Sequence, residues 1–166
     1  MAHGKEIVVS SCRKGKDFEG VIKTGETFKP GMVVQIDPTV ALIDGKWTCK
    51  IFARDADGDR PAGPLIVVDF DAEQGKTPAD AWPVGSSANY RFKGYIPAEG
   101  DELNMLLLDV AGTADDHTAG EILMVDNGTG KLIATTGTPE SEPFMLLETV
   151  TDPTADTLAH CIYTGR

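Results

Sequence analysis

The feature that most constrains the fold is a short pattern that occurs three times: a glycine and a carboxylate at the entry to a strand. Gly100-Asp101 and Gly120-Glu121 stand before apolar runs, and Gly25-Glu26 is followed by Thr27-Phe28. Glycine supplies the positive φ that tight turns need, and the two apolar runs have the length of a β-strand. In our interpretation the glycine forms the turn, the carboxylate increases solubility, and the residues that follow contribute to the core. The unequal intervals argue against a true sequence repeat.

Further turn and strand signals lie along the rest of the chain. Pro30-Gly31 predicts a turn before an alternating strand, and Asp44-Gly45 predicts a type I′ hairpin turn between residues 40–43 and 46–52. The β-branched run 64–70 is typical of a central, buried strand. Residues 77–82 predict one short helical turn. The sequence therefore predicts an all-β fold, a small antiparallel β-barrel or sandwich of about ten short strands.

The length and the aromatic residues set the expected domain organisation. A chain of 166 residues suits one domain with a hydrophobic core. We assign residues 1–20 to an extended N-terminal arm and residues 21–166 to the β-barrel domain. Trp47 and Phe52 are expected to be core or interface aromatics.

The charge of the chain limits its partners. It carries 15 basic and 26 acidic residues, a net charge of −11, which argues against binding to nucleic acid or to an anionic membrane. Residues 1–30 are mildly basic, which is compatible with an arm that docks on an acidic partner, but the preferred interpretation of the charge alone is an ordinary solvated strand with a flexible start. The candidate anchor of this arm is Arg13, Lys14 and Lys16 with Phe18.

The cysteines and the apolar runs indicate the compartment. Cys12, Cys49 and Cys161 form an odd, widely spaced set that does not indicate a disulfide framework. The early apolar residues are too few for a secretory signal, and no run has the length of a membrane span. We therefore expect a protein that is made and folded in a cytoplasm.

No motif indicates catalysis or a bound metal. His3, His117 and His160 lack the spacing of a zinc site, so we expect no metal, no cofactor and no catalytic residue. Asp55, Asp57 and Asp59 alternate as in a calcium loop, but the glycine and the glutamate of an EF-hand are absent from their positions. A polar surface turn is the preferred interpretation there.

The sequence resembles the head decoration (cement) proteins of tailed bacteriophages. The shared motifs keep their order along the chain, and the resemblance extends over about two-thirds of it. They are residues 28–34 (FKPGMVV), 75–82 (GKTPADAW), 95–97 (YIP), 100–103 (GDEL), 119–123 (AGEIL), 126–132 (DNGTGKL) and 143–148 (PFMLLE).

This resemblance implies a structural protein with no catalytic residues. Such a protein binds the outer surface of the assembled capsid, commonly as a homotrimer, and clamps neighbouring major capsid subunits. The implied partners are the major capsid protein and further copies of the chain, and the implied location is the outer surface of the virion after synthesis in the host cytoplasm. Capsid contacts vary within this group, so the resemblance assigns no contact residue.

Two other functions are considered from the residues alone. A virion surface module that binds host glycans would use exposed aromatic side chains, with Trp47, Trp82 and Tyr90 as candidates. A small β-barrel hydrolase would use a carboxylate pair such as Asp69 and Asp71. In a chain with 26 acidic residues such a spacing is expected by chance, and a solvated strand face is the preferred interpretation.

Overall fold

A computed structural model of the chain describes residues 14–54, 63–69, 90–108, 116–135, 143–153 and 157–165. Within these ranges the protein contains ten β-strands and no helix, arranged as a closed five-stranded barrel and a second five-stranded sheet. The predicted all-β fold class is confirmed. The predicted helical turn at 77–82 and the polar loop at 55–59 lie outside the described residues.

The barrel is formed by the first five strands. They are β1 (Lys16–Ile22), β2 (Val33–Ile36), β3 (Thr48–Ile51), β4 (Ile66–Val68) and β5 (Arg91–Ile96). Their order around the barrel is β1-β3-β2-β4-β5, and β1 closes it by pairing with β5. All of these pairs are antiparallel except β1 with β3, which is parallel. Strand β4 lies within the predicted buried run 64–70 and is buried at all three positions.

The interior of the barrel is filled by side chains. Strand alternation directs every second residue inward. Gly20 lies opposite Phe92, and Gly94 lies opposite Phe18. A methyl group added at Gly20 would lie 2.7 Å from the Phe18 ring and 2.8 Å from the Phe92 ring. Each glycine therefore makes room for an aromatic ring on the neighbouring strand, and the barrel encloses a packed core.

The second sheet contains the remaining five strands. They are β6 (Glu102–Leu106), β7 (Ile122–Val125), β8 (Leu132–Ala134), β9 (Phe144–Leu146) and β10 (Leu158–Tyr163). Their order is β6-β10-β9-β7-β8, with every pairing antiparallel. An isolated parallel bridge between Leu107 and Leu132 connects the end of β6 to the opposite edge strand, β8.

The barrel and the second sheet share one core. Outward-facing barrel residues such as Val33, Val67 and Tyr95 pack in one cluster with residues of the sheet such as Leu103 and Phe144. All five are at most 1% exposed. Because these side chains are buried between the two layers, each layer depends on the other for part of its stability.

Hydrogen bonds from the β7–β8 turn reinforce this contact. Val33 donates its N–H to the carbonyl of Gly130 at 2.7 Å, and Gly128 donates to the carbonyl of Phe52 at 3.0 Å. The Arg54 N–H donates to Asn127 Oδ1 at 3.1 Å. The turn therefore connects the barrel to the second sheet, in addition to connecting β7 to β8.

The glycine–carboxylate pattern forms the turns that we expected. The glycines at 25, 100 and 120 have φ between 88° and 91°, and Gly31 of the Pro30-Gly31 turn has φ 87°. Each is the third residue of a four-residue turn closed by a backbone hydrogen bond of 3.0–3.1 Å. Positive φ at the third position is the requirement of a type II turn.

The Asp44-Gly45 turn is also confirmed, but the hairpin around it is short. Asp44 and Gly45 have φ values of 49° and 75°, the double positive that a type I′ turn needs. Only Ile43 and Lys46 pair across it. Phe52 is buried as expected, whereas Trp47 is 45% exposed, because it precedes the first residue of β3 at an end of the barrel.

The first strand changes the boundary of the predicted arm. β1 begins at Lys16 and pairs with β5 over Lys16–Val21, so residues 16–20 belong to the barrel and not to an arm. Residues 1–13 lie outside the described residues. The arm is therefore retained as a proposal for residues 1–13 only.

Gly130→Ala is expected to destabilise the protein more than Gly128→Ala. Both glycines have positive φ, 68° and 89°, but an added methyl meets nothing within 4 Å at Gly128 and collides with the Val33 carbonyl oxygen at Gly130. Gly128→Ala should cost about 1–2 kcal/mol from the backbone conformation alone, and Gly130→Ala about 2 kcal/mol more. Urea denaturation measures both. Equal losses would contradict the contact between the turn and the barrel.

Candidate functional site

The residues of the predicted anchor do not form one exposed surface. Arg13 lies outside the described residues, and Lys14 and Lys16 are exposed at the start of β1. Phe18 is half-buried, packs against the inner barrel core and lies 6.1 Å from Phe92 between ring centroids. The Phe18 ring therefore contributes to the folded barrel, and among the described residues of this anchor the two lysines are the exposed ones.

A buried carboxylate holds the segment that carries these lysines. Asp101 has no exposed surface. Its Oδ1 accepts the N–H of Lys14 at 2.7 Å, and its Oδ2 accepts the N–H of Gly15 at 2.9 Å. The Tyr95 hydroxyl donates to Oδ2 at 2.6 Å, and the Ala98 N–H does so at 2.9 Å. Four donors from three parts of the chain thus converge on one side chain.

The hydrogen bonds keep this carboxylate ionised. Burial acts to raise the pKa of Asp101, but the donors from Tyr95, Ala98, Lys14 and Gly15 stabilise the anion and bring the pKa below its usual value. The sequence-based interpretation of this carboxylate as a solubilising group is therefore wrong. The local signal was the turn itself, because a carboxylate after a turn glycine can accept backbone N–H groups of that turn.

The turn at Asp101 is hydrogen-bonded to residues near both ends of the described chain. Gly100 donates its N–H to the Tyr163 carbonyl at 2.8 Å, and Tyr163 donates back to the Asp101 carbonyl at 2.8 Å. An added methyl at Gly15 would collide with the carbonyl oxygen of Ile96, so this position requires glycine. Lys14 and Gly15 are therefore held at a fixed point beside the β5–β6 turn.

The opposite end of β1 carries exposed aromatic residues. The N–H of Val21 donates to the Trp47 carbonyl at 2.9 Å, and that of Ile22 donates to the Tyr90 carbonyl at 2.8 Å. Trp47 and Tyr90 thus flank the end of β1 on its two sides, two strand spacings or about 10 Å apart. Their exposed fractions are 45% and 38%. Lys16, at the start of β1, is about 20 Å away along the strand.

Ion pairs connect the loops of this aromatic end. Lys46 Nζ lies 2.6 Å from Glu19 Oε2, and Arg91 lies 3.7 Å from Glu19 Oε1 and 3.6 Å from Asp44 Oδ2. The hydrogen bond from Lys46 lowers the pKa of Glu19, with smaller contributions from the positive charges of Lys46 and Arg91. We call this surface the Trp47 end and define it by Leu42, Asp44, Lys46, Trp47, Tyr90 and Arg91.

A second buried carboxylate supports the same end of the barrel. Lys23, directly after β1, places its Nζ 2.7 Å from Oδ2 of Asp37, whose side chain is 1% exposed. The Thr39 hydroxyl donates to Oδ1 at 2.6 Å. The ammonium of Lys23 and the hydroxyl of Thr39 together hold the pKa of Asp37 far below its usual range. The loop after β2 is thereby fixed.

The two described histidines pair with carboxylates. Nδ1 of the buried His117 lies 3.0 Å from Glu121 Oε2, and Nε2 of His160 lies 3.1 Å from Glu102 Oε2. Among the described residues no group of three or more His, Cys, Asp and Glu side chains is placed to hold a metal ion. Burial raises the pKa of the Cys49 thiol to about 12, which keeps it protonated and unreactive at neutral pH.

Several sequence-based candidates lie wholly or partly outside the described residues. Trp82, Asp71 and the loop 55–59 are outside these residues. Asp69 is described: it follows β4 and donates its N–H to the Lys93 carbonyl at 3.0 Å. In the part of the chain that the structure describes, no helix has the length and apolarity needed to cross a membrane.

Comparison with known proteins gives a structural likeness. No family model matches the sequence, and no curated protein matches it. Among solved structures, the N base of the head fibre gp8.5 of bacteriophage phi29 aligns with 90% of this chain and 94% of its own, at 11% identity and a TM-score of 0.49. Likeness at this level assigns neither a family nor a function to the chain.

Asp101→Asn is expected to lower the free energy of unfolding by about 3 kcal/mol. The amide NH₂ replaces one acceptor oxygen, so at least one of the four donors loses its partner. Urea denaturation measures the loss, and hydrogen exchange at the Gly15 amide should accelerate. The matched control is Glu102→Gln, whose side chain is 32% exposed and which should cost below about 1 kcal/mol. Similar losses for both variants would contradict the role of Asp101.

The stability of the protein is expected to fall in acid. Asp101 and Asp37 have lower pKa values folded than unfolded, so the unfolded chain binds more protons as the pH falls below about 5. As the pH falls from the unfolded pKa to the folded pKa of each carboxyl group, the free energy of unfolding decreases by up to about 1.4 kcal/mol per pH unit. In urea titrations from pH 7 to 2.5, Asp101→Asn should show a shallower dependence than the parent. An unchanged slope would contradict an ionised Asp101.

Proposed function

We propose that the protein is a structural capsid decoration protein of a tailed bacteriophage. It binds the outer surface of the assembled head and stabilises contacts between major capsid subunits, as a homotrimer. The ordered motifs of the sequence support this function, and the structure uses several of them as turns that join the barrel to the second sheet. The observation that carries the proposal is the anchoring of Lys14 and Gly15 by Asp101.

That anchoring suits an arm that links the barrel to a neighbouring subunit. A segment that leaves from a rigid point reaches a defined region, and it loses less entropy on binding than one tethered to a mobile loop. Lys14 and Lys16 are exposed at the start of β1 and present positive charge to an acidic partner, and Arg13 precedes them in the sequence. Repeated copies on a shell add their modest contacts through avidity.

Cosedimentation with undecorated heads tests the proposal. Purified protein is mixed with expanded, DNA-free heads of the tailed phage that encodes the chain. It should pellet with the heads and raise their resistance to heat or chelators. Failure of the intact chain to bind would overturn the proposed function.

Deletion of residues 1–13 tests the arm separately. This deletion leaves Lys14, Gly15 and all of β1 in place, whereas removing residues 1–20 would also remove most of the strand that closes the barrel. The shortened protein should stay folded, with an unchanged midpoint in urea, and should bind heads at least about tenfold more weakly, as for a loss of about 1.4 kcal/mol. Unchanged binding would remove the arm from the proposal and leave the decoration function standing.

A glycan-binding virion module is the second candidate function. The exposure of Trp47 and Tyr90 favours it, because aromatic faces of this kind pack against sugar rings. A glycan array probed with the intact protein tests it. Binding that Trp47→Ala removes would favour this function, and an array without a ligand would eliminate it.

A further inference from the structure

The two halves of the molecule differ in charge. Residues 1–97, which include the barrel strands, contain 13 basic and 13 acidic residues. Residues 98–166, which include the second sheet, contain 2 basic and 13 acidic residues. The whole net charge of −11 therefore falls in the half that forms the second sheet. Among the described residues, those at 14–97 carry nine basic and six acidic side chains, and those at 98–165 carry one basic and eight acidic side chains. A partner of net negative charge is therefore attracted by the barrel half and repelled by the half that forms the second sheet.

The exposed apolar residues fall mainly in the barrel half. Among the described residues, the large hydrophobic side chains classed as exposed are Leu42, Trp47, Tyr90 and Leu147. The first three belong to the Trp47 end, together with Arg91. Tryptophan, tyrosine and arginine are the residue types most enriched in the energetic centres of protein interfaces. The composition of this surface is thus that of a protein contact.

The charges of the Trp47 end are already arranged for such a contact. Lys46 and Arg91 are paired with Glu19 and Asp44, so this network has no net charge. Because these charges are already paired in the free protein, burying them in an interface costs less free energy than burying unpaired charges. Nucleic acid is a poor fit, because its phosphates select clustered cations without carboxylates among them.

We propose that the Trp47 end is the surface on which the protein docks, and that its partner is a protein surface of net negative charge with an apolar patch. The inference rests on the proposed function, in which this partner is the outer face of the capsid shell. Trp47 and Tyr90 provide the apolar centre of the contact, and the ion pairs provide its rim. The acidic second sheet faces solvent, where its charge opposes association between decorated particles.

The test compares two variants in binding to undecorated heads. Trp47→Ala/Tyr90→Ala removes the apolar centre, and Leu147→Ala removes a side chain of 36% exposure on the second sheet. Circular dichroism and urea midpoints verify that both variants remain folded. We expect the double variant to raise the Kd by about 30-fold or more. Leu147→Ala should change it less than about threefold.

The possible results separate the inference from the proposed function. If the intact protein does not bind heads, the proposed function fails and the inference fails with it. If the intact protein binds and the double variant binds equally well, or Leu147→Ala weakens binding more, only the inference fails. A double variant that instead dissociates oligomers of the free protein in sedimentation velocity would show that a second copy occupies this end, which also overturns it. Undecorated heads that migrate as cations at pH 7 would overturn the stated charge of the partner.

Discussion

The convergence of four hydrogen bonds on the buried carboxylate of Asp101 is the constraint on which the rest of the structure depends. It fixes Lys14 and Gly15 at the start of β1, the Tyr95 side chain of β5 and the turn into β6. Because β1 closes the barrel against β5, and β6 opens the second sheet, this side chain contributes to the relation of the two layers together with their shared core and the β7–β8 turn. An ionised group without exposed surface is tolerable only when its donors are all in place.

This arrangement gives the molecule two ends with different properties. The end near Asp101 holds the exposed Lys14 in place, and the Trp47 end presents aromatic side chains and internally paired charges. A protein that must adhere to a large assembly and remain soluble at high copy number benefits from such a separation, since attraction and repulsion act on different surfaces.

The local parts of this structure follow from the sequence, and the nonlocal parts do not. The type I′ turn at Asp44-Gly45 and the strand Leu158–Tyr163 are predictable, because glycine conformation and apolar alternation are properties of neighbouring residues. The parallel pairing of β1 with β3 depends on contacts between distant strands. The burial of Asp101 depends on Gly15, 86 residues away, and the exposure of Trp47 depends on its place at an end of the barrel.

The orientation of the protein on its partner is the most direct test of this account. A cryo-electron microscopy reconstruction of undecorated heads incubated with the intact chain would show which surface meets the shell. We expect density for the barrel with the Trp47 end against the capsid and the second sheet directed toward solvent. Density that places the second sheet against the shell, or a shell without added density, would contradict the account.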